Sequence, residues 1–310
     1  MHDVFFIITI LVIFNKLQSV GANEKKLSFQ DIINENSNFA RHEDYCAFRI
    51  VGGVEAPITT VPYQVALRRG IYGNIYWTTF CGGSLVTLKF VLTATHCFDQ
   101  PGFEIWKKSV RAVAGSTLTT VNLVTLYGEQ SRKILSFYVH EYYSTITWVN
   151  DISVLELERA FFQSNTVKPI RMHVPGLDVD VRDGIKCLVS GYGLVENNKP
   201  SKKLRMVCVP LVSSSWCSRI YRTKIFPSVL CAGGDSKDSC LGDSGGPLVC
   251  HGVLVGIVSW GGVCGTHPGA YTRVISYTED EHVSFVMKDG AKLIRTVRLY
   301  FVITVYYIVM

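Results

Sequence analysis

From residue 50 onward the chain is a succession of short apolar runs. Tyr63–Leu67, Phe90–Thr93, Val110–Ala114, Ile152–Leu157, Val207–Val212 and Val253–Trp260 are rich in β-branched and aromatic residues, and clusters of Gly, Pro, Asn and Ser separate them. Side chains that suit a pleated surface, broken by residues that turn the chain, predict strands. No apolar pattern of period 3.6 runs long enough for a major helix. Internal repeats of the kind that build solenoids or propellers are absent as well. Strands at this spacing predict an all-β sandwich or barrel, and a stretch this long predicts two barrels.

Both ends have a different texture. Val4–Phe14 (VFFIITILVIF) is eleven apolar or near-apolar residues, too short to span a bilayer but right for the core of a signal peptide. Small residues follow at Ser19, Gly21 and Ala22, so residues 1–22 read as a leader cut after Gly21 or Ala22. The other reading of the run is a buried strand or helix. Residues 23–49 are polar, partly acidic and without period, as expected of a propeptide.

Composition narrows the class. The apolar fraction is 48% and the net charge +6, globular and only mildly basic values. There is no block of like charges, so nucleic-acid binding has no support. Ten cysteines, an even number without CxxC pairs, suit a disulfide framework in an oxidising compartment better than a zinc site. A secreted, extracellular protein is the expectation.

The most specific stretch is Gly242-Asp243-Ser244-Gly245-Gly246-Pro247-Leu248. As G-x-S-x-G it also fits the nucleophile elbow of α/β-hydrolases. That elbow needs a helix after the Ser, whereas Gly246-Pro247 followed by Leu248-Val249-Cys250 leads into a strand. Its acid and His must also follow the Ser, and few residues remain. Upstream lie Thr93-Ala94-Thr95-His96-Cys97 and Asn150-Asp151-Ile152. The order His96, Asp151, Ser244 with GDSGGPL resembles the chymotrypsin/trypsin family of serine proteases, over residues 50–277.

That resemblance implies two packed six-stranded antiparallel β-barrels, with the active site in the cleft between them. A Ser hydroxyl is a poor nucleophile until a base takes its proton. His96 would activate Ser244 and then protonate the leaving amine, while Asp151 fixes the imidazole tautomer. The N–H groups of Gly242 and Ser244 would form the oxyanion hole. Arg49-Ile50-Val51-Gly52-Gly53 resembles the family's activation site. Cutting after Arg49 frees the Ile50 amine to pair with Asp243, and such a site would allow self-activation. Asp238, six residues before Ser244, matches the floor of a pocket for Arg or Lys. Ser239 would add a hydrogen bond there, Ser259 and Trp260 would line a wall, and Gly261 and Gly269 would keep the mouth open. No cofactor or metal is expected.

The resemblance also implies the bridges Cys81–Cys97, Cys187–Cys250, Cys217–Cys231 and Cys240–Cys264. For Cys46 and Cys208 two readings stand, a mutual bridge or free or intermolecular thiols. Thr95 replaces the family's usual Ala, a change between small residues with little effect expected. Val263 stands where the rim usually carries Gly. Asp280 occupies the place of a Trp, and residues 278–310 do not match the family. They end in the apolar Leu299–Met310 behind small residues at Asp289-Gly290-Ala291, which reads either as a glycolipid-anchor signal or as an unusual terminus. The basic run Asn197–Arg205 reads as a solvated loop. Calcium has weak support, because residues 115–135, near the family's calcium loop, carry Glu129 as their sole carboxylate. There is no N-x-[ST] sequon. The expected function is a secreted endopeptidase made as a zymogen and cutting after Arg or Lys; the other class weighed is a protease-like binding or regulatory protein.

Overall fold

The computed structural model describes residue 46 and residues 53–99, 102–122, 128–195, 199–234, 243–262 and 266–278. After a short β1 (Val54–Glu55) come β2 (Gln64–Ile71), β3 (Tyr76–Leu85), β4 (Phe90–Thr93), β5 (Val110–Ala114), β6 (Thr120–Asn122), β7 (Gln130–Val139) and β8 (Ser153–Leu157). Six of these close on themselves in the order β2-β5-β7-β8-β4-β3, with β3 returning to β2 and β6 added beyond β3. Closure removes the unpaired edges that an open sheet would expose. Inside lie Leu67, Leu85, Leu92, Leu155 and Leu157, all fully buried, and each contributes about 1.5–3 kcal/mol by leaving water.

The second barrel follows from β9 (Arg171–Met172), β10 (Lys186–Gly191), β11 (Leu194–Val195), β12 (Lys199–Pro200), β13 (Arg205–Val212), β14 (Val229–Ala232), β15 (Pro247–Cys250), β16 (Val253–Trp260) and β17 (Gly269–Arg273). Its closed order is β13-β10-β15-β16-β17-β14, with β14 pairing back on β13. Strand β1 extends this sheet on β13, and β9 joins β16 in parallel. Strands β15 and β16 are joined at His251-Gly252, both with positive φ, the two-residue turn whose twist matches antiparallel strands. The core is Val189, Val209, Leu211, Leu248, Val255, Val258 and Tyr271. Both barrels lie in one unit of the chain. The six apolar runs read between residues 63 and 260 fall on strands of these barrels, while Val4–Phe14 and Leu299–Met310 lie outside the described residues. Among the described residues the longest helix, α2, is the eight-residue Ser214–Tyr221, after the four-residue α1 (Phe103–Trp106). The Ser213 hydroxyl caps α2 by accepting the Trp216 N–H at 3.1 Å.

Among the described residues four disulfides join Cys46–Cys208, Cys81–Cys97, Cys187–Cys250 and Cys217–Cys231. Cys240 and Cys264 lie outside the described residues. Of the two readings for Cys46 and Cys208, the structure has the mutual bridge, from the residue before the described barrels to the middle of β13.

Candidate functional site

His96 sits in a single 3-10 turn, Thr95–Cys97, directly after β4. Asp151 precedes β8, which pairs with β4, so the barrel itself brings the two together. The His96 N–H donates to Asp151 Oδ1 at 2.9 Å, and His96 Nδ1 lies 2.7 Å from Asp151 Oδ2. The Ser259 hydroxyl donates to the same Oδ2. Asp151 is fully buried, and three donors offset the loss of water around its carboxylate. Because an ionised carboxylate only accepts, the imidazole proton belongs on Nδ1, which leaves Nε2 with a lone pair. Thr272 from β17 fixes the backbone by donating to the Asp151 carbonyl at 2.9 Å, and the Tyr277 hydroxyl donates to Asn150 Oδ1 at 2.9 Å. Nearby, the Tyr143 hydroxyl is pushed above its ordinary pKa, first by burial and then by the Asp151 and Asp99 carboxylates.

Ser244 comes from the second barrel. The turn Asp243–Gly246 is closed by the Gly246 N–H to the Asp243 carbonyl at 2.8 Å, with Gly245 at φ 77°. A positive φ at the third position of such a turn favours Gly. The Ser244 carbonyl accepts the Gly82 N–H at 2.7 Å, which ties Ser244 to β3 of the first barrel. Cys81 neighbours Gly82 and is bridged to Cys97, the residue after His96. Ser244 is therefore held across the cleft against the same strand and bridge that hold His96. Among the described residues no hydrogen bond joins the Ser244 hydroxyl to His96, and such bonds tighten when substrate arrives. Cys81, His96 and Cys97 cluster like metal ligands, but two of the three are sulfurs consumed in a disulfide.

The Asp243 side chain turns toward the end of β10, and its Oδ1 accepts the N–H of Gly193, just beyond that strand, at 2.8 Å. A Cβ on Gly191 would stand 2.1 Å from that oxygen, and one on Gly193 would stand 2.7 Å from the carboxyl carbon. These two glycines make the space in which the carboxylate lies. The sequence reading singled out neither.

Two residues that the sequence did not point to, Trp148 and Tyr221, shape the cleft, and Thr95, expected to matter little, takes part in hydrogen bonds. Trp148 has a left-handed backbone, φ 55°, and lays its ring 4.6 Å from that of His96. Trp148, Trp260, Ile225 and Phe226 wall a cavity of about 340 Å³, with Lys224 at its edge. Tyr221, at the end of α2, packs its ring 4.9 Å from Trp260 and accepts the Gly262 N–H at 2.9 Å. Thr95 donates its hydroxyl to the Ile152 carbonyl at 2.8 Å and pairs with the Ser153 hydroxyl at 2.9 Å. Gly261 and Gly269 face each other, with 3.7 Å from a Cβ on the first to the Cα of the second. Arg49, Ile50, Asp238, Ser239, Gly242 and Val263 lie outside the described residues.

Comparison with known proteins agrees with this layout. The family model described as Trypsin matches residues 50–279. Trypsin II-P29 of Gallus gallus is 35% identical over 237 residues, covering 74% of this chain and 87% of that protein. Trypsin delta of Drosophila erecta is 36% identical over 233 residues, 73% and 84% of the two chains. Trypsin 5G1 of Aedes aegypti is 37% identical over 237 residues, 74% and 82%.

Proposed function

The chain belongs to the trypsin family of serine endopeptidases, and from that premise we propose that it is a secreted zymogen that cuts peptide bonds after Arg or Lys with His96, Asp151 and Ser244. The observation that carries the reading is the His96–Asp151 pair at 2.7 Å, with Ser244 tied through its carbonyl to Gly82, beside the Cys81 that is bridged to Cys97. In the reaction, Nε2 of His96 takes the Ser244 proton as Oγ attacks the scissile carbonyl carbon. The proton then passes to the departing amine, leaving an acyl-enzyme. Water, activated by the same nitrogen, releases the acid and restores Ser244. Asp151 holds the Nδ1–H tautomer and stabilises the imidazolium. The N–H groups of Gly242 and Ser244 hold the oxyanion.

Activation is proposed to follow cleavage after Arg49. Gly53 is held on β13, where Arg205 donates to its carbonyl at 2.5 Å. From β1 across β13 to β10 is two strand spacings, about 10 Å, and the Asp243 carboxylate rests against Gly191, the last residue of β10, and Gly193 just beyond it. Three residues of extended chain reach about 10 Å, so the Ile50 amine can arrive at Asp243. A buried carboxylate gains from that cation, and the activating protease is one that cuts after Arg, this enzyme included.

The pocket assignment rests on Asp238 as the countercharge for Arg or Lys. Substrates are proteins or peptides, with apolar residues upstream of the cut favoured by the cavity beneath Trp148. The test is to cleave purified precursor at Arg49 and compare peptides carrying Arg, Lys, Phe or Ala before the scissile bond, alongside Ser244→Ala. Turnover after Arg and Lys, lost in the variant, is expected. Turnover after Phe alone would remove the Asp238 assignment, and none at all would return the chain to the binding-protein class.

A further inference from the structure

Arg68, on β2, carries a guanidinium that is 1% exposed. One nitrogen donates to Glu129 Oε1 at 2.7 Å, and the other donates to the Ser116 hydroxyl at 2.8 Å and the Leu118 carbonyl at 2.6 Å. The Glu129 side chain is itself only 4% exposed. A carboxylate, a hydroxyl and a backbone carbonyl converging on one buried point is the all-oxygen donor set of a hard divalent cation. Here a side-chain cation occupies that point.

This part of the chain lies near the calcium loop of the trypsin family, and its residues do not fit that ion. Calcium takes roughly six to eight oxygens, several of them carboxylate. Residues 115–135 supply Glu129 alone, and its Oε1 is bonded to Arg68. A dication added beside a buried guanidinium would meet repulsion that a single carboxylate does not balance.

We propose that the Arg68 guanidinium is a built-in replacement for a divalent cation, closing the loop between Ser116 and Glu129 without calcium. The site matters beyond its own loop. The Tyr192 hydroxyl donates to the Ser116 carbonyl at 2.8 Å, and the Leu204 N–H donates to the Thr117 carbonyl at 2.7 Å. The segment that Arg68 holds is thus a strap between the barrels. Tyr192 lies between Gly191 and Gly193, the two residues against which Asp243 rests. An internal cation keeps that support independent of the calcium concentration outside the cell.

The test is thermal unfolding of the full chain carrying Ser244→Ala, which prevents self-digestion and makes the readout independent of protease activity. Runs in millimolar calcium and in excess chelator are compared. With Arg68 present, the midpoint is expected to be the same in both. Arg68→Ala should lower the midpoint in chelator by about 10 °C, because it leaves the Glu129 carboxylate buried and uncompensated. Calcium should leave that loss unrestored, because one carboxylate, one hydroxyl and one carbonyl fall short of the roughly six to eight oxygens the ion takes. Adding Glu129→Gln to Arg68→Ala should recover part of the loss, since it removes the buried, uncompensated charge. If Arg68→Ala does not fold, Arg68→Gln serves with the same expectations. Calcium raising the midpoint of the Arg68 chain would overturn the proposal, as would an Arg68→Ala chain as stable in chelator as its parent, or one gaining nothing from Glu129→Gln.

Discussion

Replacing Thr95 by Val tests how the His96 turn is held. Thr95 is 3% exposed and Ser153 is 1% exposed, so neither hydroxyl has ready access to water. Valine fills nearly the same volume, so no cavity opens and the effect isolates the hydroxyl. The substitution strands the Ser153 hydroxyl, now paired at 2.9 Å, and takes from the Ile152 carbonyl its 2.8 Å bond, leaving it the longer His140 N–H at 3.4 Å. Leaving a buried polar group unmade costs about 1–3 kcal/mol and losing one of two hydrogen bonds about 0.5–1.5 kcal/mol, so the two together cost about 2–4 kcal/mol. For a domain of this size each kcal/mol lowers the unfolding midpoint by about 2–4 °C, and a fall of roughly 5–12 °C is expected. Calorimetry of Thr95→Val in the Ser244→Ala background reads it, with Thr95→Ser restoring most of the loss. Unfolding of Thr95→Val within about 1 °C of its parent would refute the reasoning, because it would mean that these hydrogen bonds contribute nothing net.

Three other outcomes are expected. Trp148→Ala uncovers the His96 ring and removes one wall of the upstream cavity, so KM for peptides with an apolar residue upstream of the cut should rise about tenfold, the loss of one well-packed contact, while kcat changes less. After cleavage at Arg49, the segment ending there should stay attached through Cys46–Cys208: one band without reductant and two with it, with Cys208→Ser releasing the segment in both conditions. The Ile50 ammonium must stay charged to hold Asp243; a free α-amino group titrates near ~7.7–8.0 and pairing raises it. Its contribution is complete below the unpaired value and lost as pH climbs through the raised one, so activity should fall at strongly alkaline pH, and a profile flat to about pH 11 would contradict the pairing.

The chain's strands were legible because closed barrels bury one face of nearly every strand, which writes β-branched runs between turn residues. His96, Asp151 and Ser244 were legible as motifs because each sits where local backbone geometry demands its neighbours, as Gly245 does at φ 77°. Arg68 was not, since it follows the apolar run ending at Leu67 and its partners lie 48 to 61 residues away. Trp148 was hidden for another reason: its place over His96 depends on a left-handed backbone at a non-glycine residue, which no local pattern announces. Thr95 looked like an inert small residue until its hydroxyl was seen bonded across to the strand that follows Asp151. The partner of Cys46 could not be read either, because pairing is decided by the approach of the chain to β13 and not by spacing. Helix α2, at eight residues, is too short to show a period.

The central claim is that Ser244 becomes a nucleophile, activated by His96, only once Ile50 is a chain terminus. An alkyl fluorophosphonate tests this directly, because it adds covalently to an activated Ser hydroxyl and ignores an ordinary one. The precursor, the protein cut at Arg49, and the cut protein carrying His96→Ala are treated alike, and the peptide containing Ser244 is weighed. The account expects stoichiometric labelling of Ser244 in the cut protein and almost none in the other two. Labelling of the precursor at the same rate, or labelling that survives loss of His96, would contradict it.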